Sequence, residues 1–71
     1  MEMLPIFAER LMLARHRACM SQKKVAHALG VHTSNMSKME RGQILPNALR
    51  LLRLARLLKV SADFLLGNDK S

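Results

Sequence analysis

The chain has 71 residues, of which 12 are Lys or Arg and five are Asp or Glu, so its net charge is +7. A chain of this length is expected to form one small domain, and its single cysteine, Cys19, excludes an internal disulfide. The three histidines show no zinc-ligand spacing, so we expect no metal site. No apolar run is long enough to cross a bilayer and the first residues do not resemble a signal peptide, which indicates a cytoplasmic protein.

The dense positive charge indicates a polyanionic partner. The basic residues are spread along the chain instead of being gathered in one amphipathic segment, which argues against a membrane surface. Phe7 and Phe64 are the only aromatic residues, too few for the stacking platforms of a single-strand binder. We therefore expect double-stranded DNA as the partner, and no small-molecule ligand is evident. Since no triad and no paired carboxylates stand out, we expect neither an enzyme nor a cofactor.

The first predicted element is a helix over about residues 6–18. Pro5 stands at its entrance, where the missing N–H of proline costs no hydrogen bond. Phe7, Leu11 and Ala14 recur at helical spacing and mark the face that we expect to be buried.

The second predicted helix covers residues 22–29. Ser21 is a favourable N-cap, and Gly30 follows the helix at the position that favours a left-handed backbone. Val31 is expected to pack beneath the turn before the next helix begins.

The remaining sequence predicts three more helices. The third covers about residues 32 or 33 to 41, the fourth about 47–58, and a short fifth, capped by Ser61, ends at residue 66. We therefore predict an all-α fold, a compact five-helix domain over residues 1–71. Its core is expected over about residues 6–67, followed by a flexible tail over 68–71.

The segment from Ser21 to Val31 predicts a helix-turn-helix at helices 2 and 3. Ala26 stands where two steeply crossed helices approach most closely, and apolar side chains are expected to hold the pair together: Val25, Leu29, Val31, Met36 and Met39. This arrangement exposes the front of the third helix, as entry into a DNA groove requires. On this segment alone, an ordinary turn between two helices of a helical bundle explains the pattern almost as well.

A longer stretch carries a family resemblance. Its features are the Ser-Gln opening of helix 2, the Met-Glu-Arg-Gly close of helix 3 and the Asp-Phe-Leu-Leu-Gly ending at residues 63–67. From about residue 7 to 67 the chain closely resembles the lambda-repressor/Cro-like helix-turn-helix family, which consists of five-helix bacterial and phage regulators. In that family glycine often ends helices 1 and 4, where this chain has Cys19 and Lys59, so we expect slight strain there.

The resemblance implies a set of DNA contacts on and beside the third helix. The residues expected to read base edges are Thr33, Ser34, Ser37 and Lys38, with Lys38 suited to guanine O6 and N7. The residues expected to bind phosphates are Gln22, Asn35, Arg41 and Gln43. For Gln22, Ser34, Ser37 and Gln43, plain solvation is the alternative interpretation. His32 ranks below these candidates.

The resemblance also implies a partly buried salt bridge between Arg15 and Glu40, with a structural role. Family members bind DNA as two-fold dimers through their C-terminal helices, which gives these dimer candidates: Leu49, Leu57, Phe64, Leu65 and Leu66. Of the last three, Phe64 and one leucine are expected to belong to the core instead. Arg50, Arg53 and Arg56 form a basic arc that is more simply interpreted as a solvated face.

The function expected from these observations is a transcriptional regulator, a repressor that binds a palindromic operator as a homodimer. An antitoxin or a restriction-modification controller is the alternative with the same DNA chemistry. A protein-interaction module that no longer binds DNA is the alternative from another class, and the high positive charge argues against it.

Overall fold

The computed structural model describes residues 3–68, and five α-helices without any strand make up the regular structure of that range. The helices are α1 (Met3–Arg17), α2 (Gln22–Leu29), α3 (Thr33–Glu40), α4 (Ala48–Leu58) and α5 (Ala62–Leu66). The predicted all-α, five-helix fold class is confirmed. Of the tail expected over residues 68–71, only Asn68 lies within the described residues. No described helix has both the length and the hydropathy to span a bilayer.

Helix α1 begins three residues earlier than the sequence predicts. Pro5 lies inside the first turn of α1 and does not mark the start of the helix. Backbone N–H groups in the first turn have no acceptor within the helix, so proline, which lacks an N–H, is tolerated there. The helix ends at Arg17 because Cys19 adopts a left-handed backbone with φ 57°. The Met20 N–H then reaches back to the Arg15 carbonyl at 3.2 Å and satisfies the helix end.

The turn between α2 and α3 forms as predicted. The Ser21 hydroxyl accepts a hydrogen bond from the Lys24 N–H at 3.0 Å, and Gly30 ends α2 with φ 74°. His32 precedes α3 in an extended conformation and makes no side-chain cap hydrogen bond. The first turn of α3 therefore lacks the side-chain acceptor that Ser21 supplies to α2.

Helices α4 and α5 also begin at capping side chains. Asn47, predicted as the first residue of the fourth helix, lies just before it and accepts from the Arg50 N–H at 2.8 Å. The Ser61 hydroxyl accepts from the Phe64 N–H at 2.9 Å, as predicted. Lys59 ends α4 in a left-handed conformation with φ 57°.

One apolar core joins the five helices. α1 packs against α3 and α5, and α2 packs against α3 and α4. The predicted inner face of α1 is buried, and so is Ala26 at the crossing of α2 with its neighbours. The side chains in this core are Phe7, Leu11, Ala14, Val25, Ala26, Leu29, Met36, Met39, Leu54, Ala55, Leu58 and Leu65. This packing leaves one face of α3 to solvent.

Candidate nucleic-acid interface

The exposed face of α3 carries polar and basic side chains. Thr33, Ser34 and Lys38 are exposed and Ser37 is half-buried. The opposite face is buried through Met36, Met39 and Glu40. A helix that packs against the core on one side and is polar on the other has the geometry needed to enter a major groove.

Glu40, the buried carboxylate at the end of α3, is held by two side chains. Its Oε2 accepts a hydrogen bond from Arg15 Nε at 2.5 Å, and its Oε1 accepts from Arg15 Nη2 at 3.1 Å. Arg15 also donates from Nη1 to the Met20 carbonyl at 2.9 Å. The guanidinium therefore connects α1 to the end of α3 and to the segment that leads into α2.

Gln22, the first residue of α2, joins the same network. Its side-chain amide donates from Nε2 to Glu40 Oε1 at 3.0 Å. An amide nitrogen carries two hydrogens, and this contact uses one of them. At the start of α2 the Gln22 backbone N–H has no intrahelical acceptor, whereas the Lys24 N–H is bound by Ser21. The sequence pointed to a phosphate role for Gln22, but nothing in its spacing revealed this contact with Glu40.

The other residues expected to bind phosphates lie within α3 and just beyond its end. Asn35 is half-buried and borders a groove that also contains Asn47 and Arg50 at the start of α4. Arg41 and Gln43 are exposed beyond the end of α3, and the Gln43 N–H donates to the Lys38 carbonyl at 2.9 Å. Asn35 therefore belongs to α3 itself, whereas Arg41 and Gln43 follow its last residue.

The dimer candidates fall into two groups. Leu49 on α4 is 58% exposed, whereas Leu57, Phe64 and Leu66 are half-buried against the core. Leu65 is completely buried, so the structure removes it from the candidates for an interface. The sequence left open which leucine after Phe64 belongs to the core, because helical spacing alone does not separate neighbouring positions on a five-residue helix.

Phe64 is held in place by α1. Arg10 donates from Nη1 to the Phe64 carbonyl at 2.8 Å, and its guanidinium carbon lies 4.6 Å from the centre of the Phe64 ring. A cation over an aromatic face stabilises this arrangement. Because both its carbonyl and its ring contact Arg10, we assign Phe64 a structural role within the domain instead of a place in a dimer interface.

Further exposed apolar side chains, which the sequence did not single out, lie near Leu49. Leu52 is 52% exposed, and Ile44 and Leu45 are exposed in the loop before α4. Residues 49 and 52 are three apart on α4 and therefore lie on the same side of that helix. We call Ile44, Leu45, Leu49 and Leu52 the α4 patch.

Comparison with known proteins agrees with this geometry. A family described as a helix-turn-helix domain matches residues 6–65. The HTH-type transcriptional regulator ImmR of Bacillus subtilis (strain 168) is 40% identical over 62 residues, covering 87% of this chain and 49% of ImmR. The SPbeta prophage-derived uncharacterized HTH-type transcriptional regulator YonR of the same organism is 38% identical over 61 residues, covering 86% of this chain and 56% of YonR.

The chain thus spans about half the length of the curated relatives that it matches. The matched region contains the first turn of α2, the Gly30 turn and the exposed face of α3. The chain belongs to the lambda-repressor/Cro-like helix-turn-helix family.

Proposed function

We propose that this chain is a sequence-specific, double-stranded DNA-binding transcriptional regulator, a repressor that binds a palindromic operator as a homodimer. The observation that carries the proposal is the exposed polar face of α3, fixed from behind by the contacts of Glu40. The relatives ImmR and YonR are named as transcriptional regulators, which supports the same conclusion. Its DNA target places this activity in the cytoplasm.

Base reading is assigned to the exposed face of α3. Lys38 is the strongest reader, because an ammonium group pairs with the O6 and N7 acceptors of guanine in the major groove. Thr33, Ser34 and Ser37 have short side chains, so part of the specificity is expected to depend on bridging water and on the shape of the duplex.

Phosphate binding is assigned to residues around that face. Gln22 offers its backbone N–H at the start of α2 and the second hydrogen of its side-chain amide. Asn35 on α3, and Arg41 and Gln43 beyond its end, are proposed to contact the sugar-phosphate strands. These contacts set affinity and orientation, whereas the α3 side chains set sequence preference.

The homodimer is proposed to form through the α4 patch. Exposed apolar side chains on α4 and in the loop before it favour burial against a second copy of the same surface. Two recognition helices related by a two-fold axis then lie about 34 Å apart and contact half-sites one helical turn apart. Repression is proposed to result from occupation of the operator by the bound dimer.

Selection of bound duplexes from a random pool tests this function. The expected result is a two-fold symmetric motif, two chains per selected duplex by sedimentation, and an affinity that falls steeply with salt. Binding without enrichment of any motif would contradict sequence-specific recognition. An asymmetric motif bound by one chain would leave a DNA-binding protein but contradict the homodimer.

Experiments can distinguish two alternative functions from that of a repressor. An antitoxin or restriction-modification controller uses the same DNA contacts, so it would show the same selected motif but form a complex with a toxin or regulate a nuclease gene. A protein-interaction module would bind no duplex in the selection. The net charge of +7 favours DNA over such a module, because that charge is costly to bury in a protein interface.

A further inference from the structure

A second basic surface lies beside the residues assigned above. It is a groove of about 450 Å³ between α2 and the start of α3. The polar and basic residues that line it are Ser21, Lys23, Lys24, His27, His32 and Thr33. None of the four basic residues among them belongs to the proposed set of DNA contacts.

Among the described residues that line the groove, none is acidic. Within residues 3–68 the carboxylates are Glu9 on α1, Glu40 at the end of α3 and Asp63 on α5, and all three lie outside this groove. In the same range neither lysine makes a side-chain hydrogen bond or ion pair, and both are exposed. The two ammonium groups therefore face solvent without a counter-charge from the described part of the chain.

The groove also connects two parts of the proposed interface. At one side it contains Ser21 and Lys23, which flank Gln22, the proposed phosphate anchor. At the other side it contains Thr33, the first proposed base reader. His32 does not cap α3, so its imidazole is not engaged in that role. A DNA strand that contacts both the first turn of α2 and the tip of α3 would therefore pass beside this groove.

We propose that this groove binds a backbone phosphate of double-stranded DNA, with Lys24 and Lys23 as the principal charges. The inference rests on the proposed function and extends it. A lysine ammonium is a compact charge with three donors, which suits a phosphate oxygen and carries no preference for a base. The groove contributes affinity and salt dependence, and α3 contributes sequence preference.

The substitution Lys24→Ala tests this site by its effect on salt dependence. Alanine is a good helix former, so α2 is expected to persist. We expect affinity for the selected duplex and for an unrelated duplex to fall by the same factor, about tenfold at a fixed salt concentration. The slope of log affinity against log salt should become shallower by about 0.9 for one lost phosphate contact. Thermal melting checks the fold, and Lys24→Gln replaces the alanine variant if the melting temperature falls.

The matched control is Lys59→Asn, which removes the same charge outside this groove. Asn tolerates the left-handed backbone that Lys59 adopts, so the fold is expected to persist. The control should keep the wild-type slope. Equal slopes in the two variants would assign the effect to net charge and overturn the phosphate site, and so would a changed base preference in Lys24→Ala.

Different results would contradict the proposed function and the proposed phosphate site. A wild-type chain that binds no duplex would overturn both the proposed function and this site. A wild-type chain that selects a motif, together with a Lys24→Ala variant of unchanged affinity and slope, would overturn the groove alone.

Discussion

Arg15 and Glu40 are bound to each other through two hydrogen bonds, with Arg15 Nε 2.5 Å from Glu40 Oε2 and Arg15 Nη2 3.1 Å from Glu40 Oε1. Their side chains are 12% and 2% exposed, so the pair is largely shielded from water. The two residues lie 25 positions apart, on α1 and at the end of α3. Their contact therefore fixes the end of α3 against α1.

Replacing Glu40 by alanine should destabilise the fold. Glu40→Ala leaves the Arg15 guanidinium in a partly buried place without its carboxylate, and we expect the free energy of unfolding to fall by about 3 kcal/mol. Chemical denaturation measures this change. Glu9→Ala removes an exposed carboxylate from α1 and should change the same quantity by less than about 0.5 kcal/mol. An equal effect in the two variants would show that the pair contributes nothing specific.

Gln22 should respond differently to loss of its amide and to replacement by a carboxylate. Gln22→Ala removes one hydrogen bond to Glu40, and we expect a loss of about 1 kcal/mol in the free energy of unfolding. Gln22→Glu puts a second negative charge at the position now 3.0 Å from Glu40 Oε1, so we expect it to be the less stable variant.

Binding to DNA provides the second measurement on these Gln22 variants. Both should bind all duplexes more weakly without a change in preferred sequence, since Gln22 is proposed to contact phosphate. A Gln22→Glu variant as stable as Gln22→Ala would show that the two carboxylates do not meet.

Much of this fold could be predicted from the sequence because its signals are local. Caps such as Ser21 and Ser61, the left-handed Gly30 and the helical spacing of Phe7 and Leu11 each depend on a few neighbouring residues. The predicted start of α1 is wrong because proline is compatible both with the residue before a helix and with its first turn.

Contacts between segments that are far apart in the sequence are harder to predict from the sequence. The Gln22–Glu40 hydrogen bond joins residues 18 positions apart, and a local pattern carries no information about it. Likewise, the exposure of Leu52 depends on how α4 is rotated against its neighbours, which sequence spacing fixes only to within about one position. The family resemblance supplied the Arg15–Glu40 pair, which spacing alone does not predict.

Lys38 should control sequence preference more than affinity for DNA in general. We expect Lys38→Ala to relax the selected motif at one position in each half-site, with a loss of about 1–3 kcal/mol in discrimination there. Lys38→Arg is the matched control, because a guanidinium also pairs with guanine O6 and N7 and should keep the preference. Selection from a random duplex pool measures both. A motif unchanged by Lys38→Ala would move base reading to other residues of α3.

The left-handed residue Lys59 should be a place where glycine stabilises the chain. An L-residue with a side chain pays about 1 kcal/mol in this conformation, so Lys59→Gly is expected to raise the free energy of unfolding by up to that amount. Arg56→Gly, three residues earlier and inside α4, should lower it by about 1 kcal/mol. Thermal melting should therefore shift in opposite directions, and a shift in the same direction would contradict strain at Lys59.

The α4 patch should determine the oligomeric state. Leu49→Glu places a charge at the most exposed side chain of the α4 patch, where burial against a second copy would remove it from water. We expect the dissociation constant of the dimer to rise at least about tenfold, and operator affinity to fall with it. The monomer should stay folded, because the new Glu lies four residues before Arg53 on the exposed side of α4.

Sedimentation at several concentrations measures this equilibrium, and Met12→Glu is its control. Met12 is 41% exposed on α1, so the control adds the same charge to another exposed apolar position outside the α4 patch. The control should leave the dimer intact if the patch is the interface. Dissociation by Met12→Glu and not by Leu49→Glu would instead place the interface on α1, because a charge disrupts association only where the interface buries it.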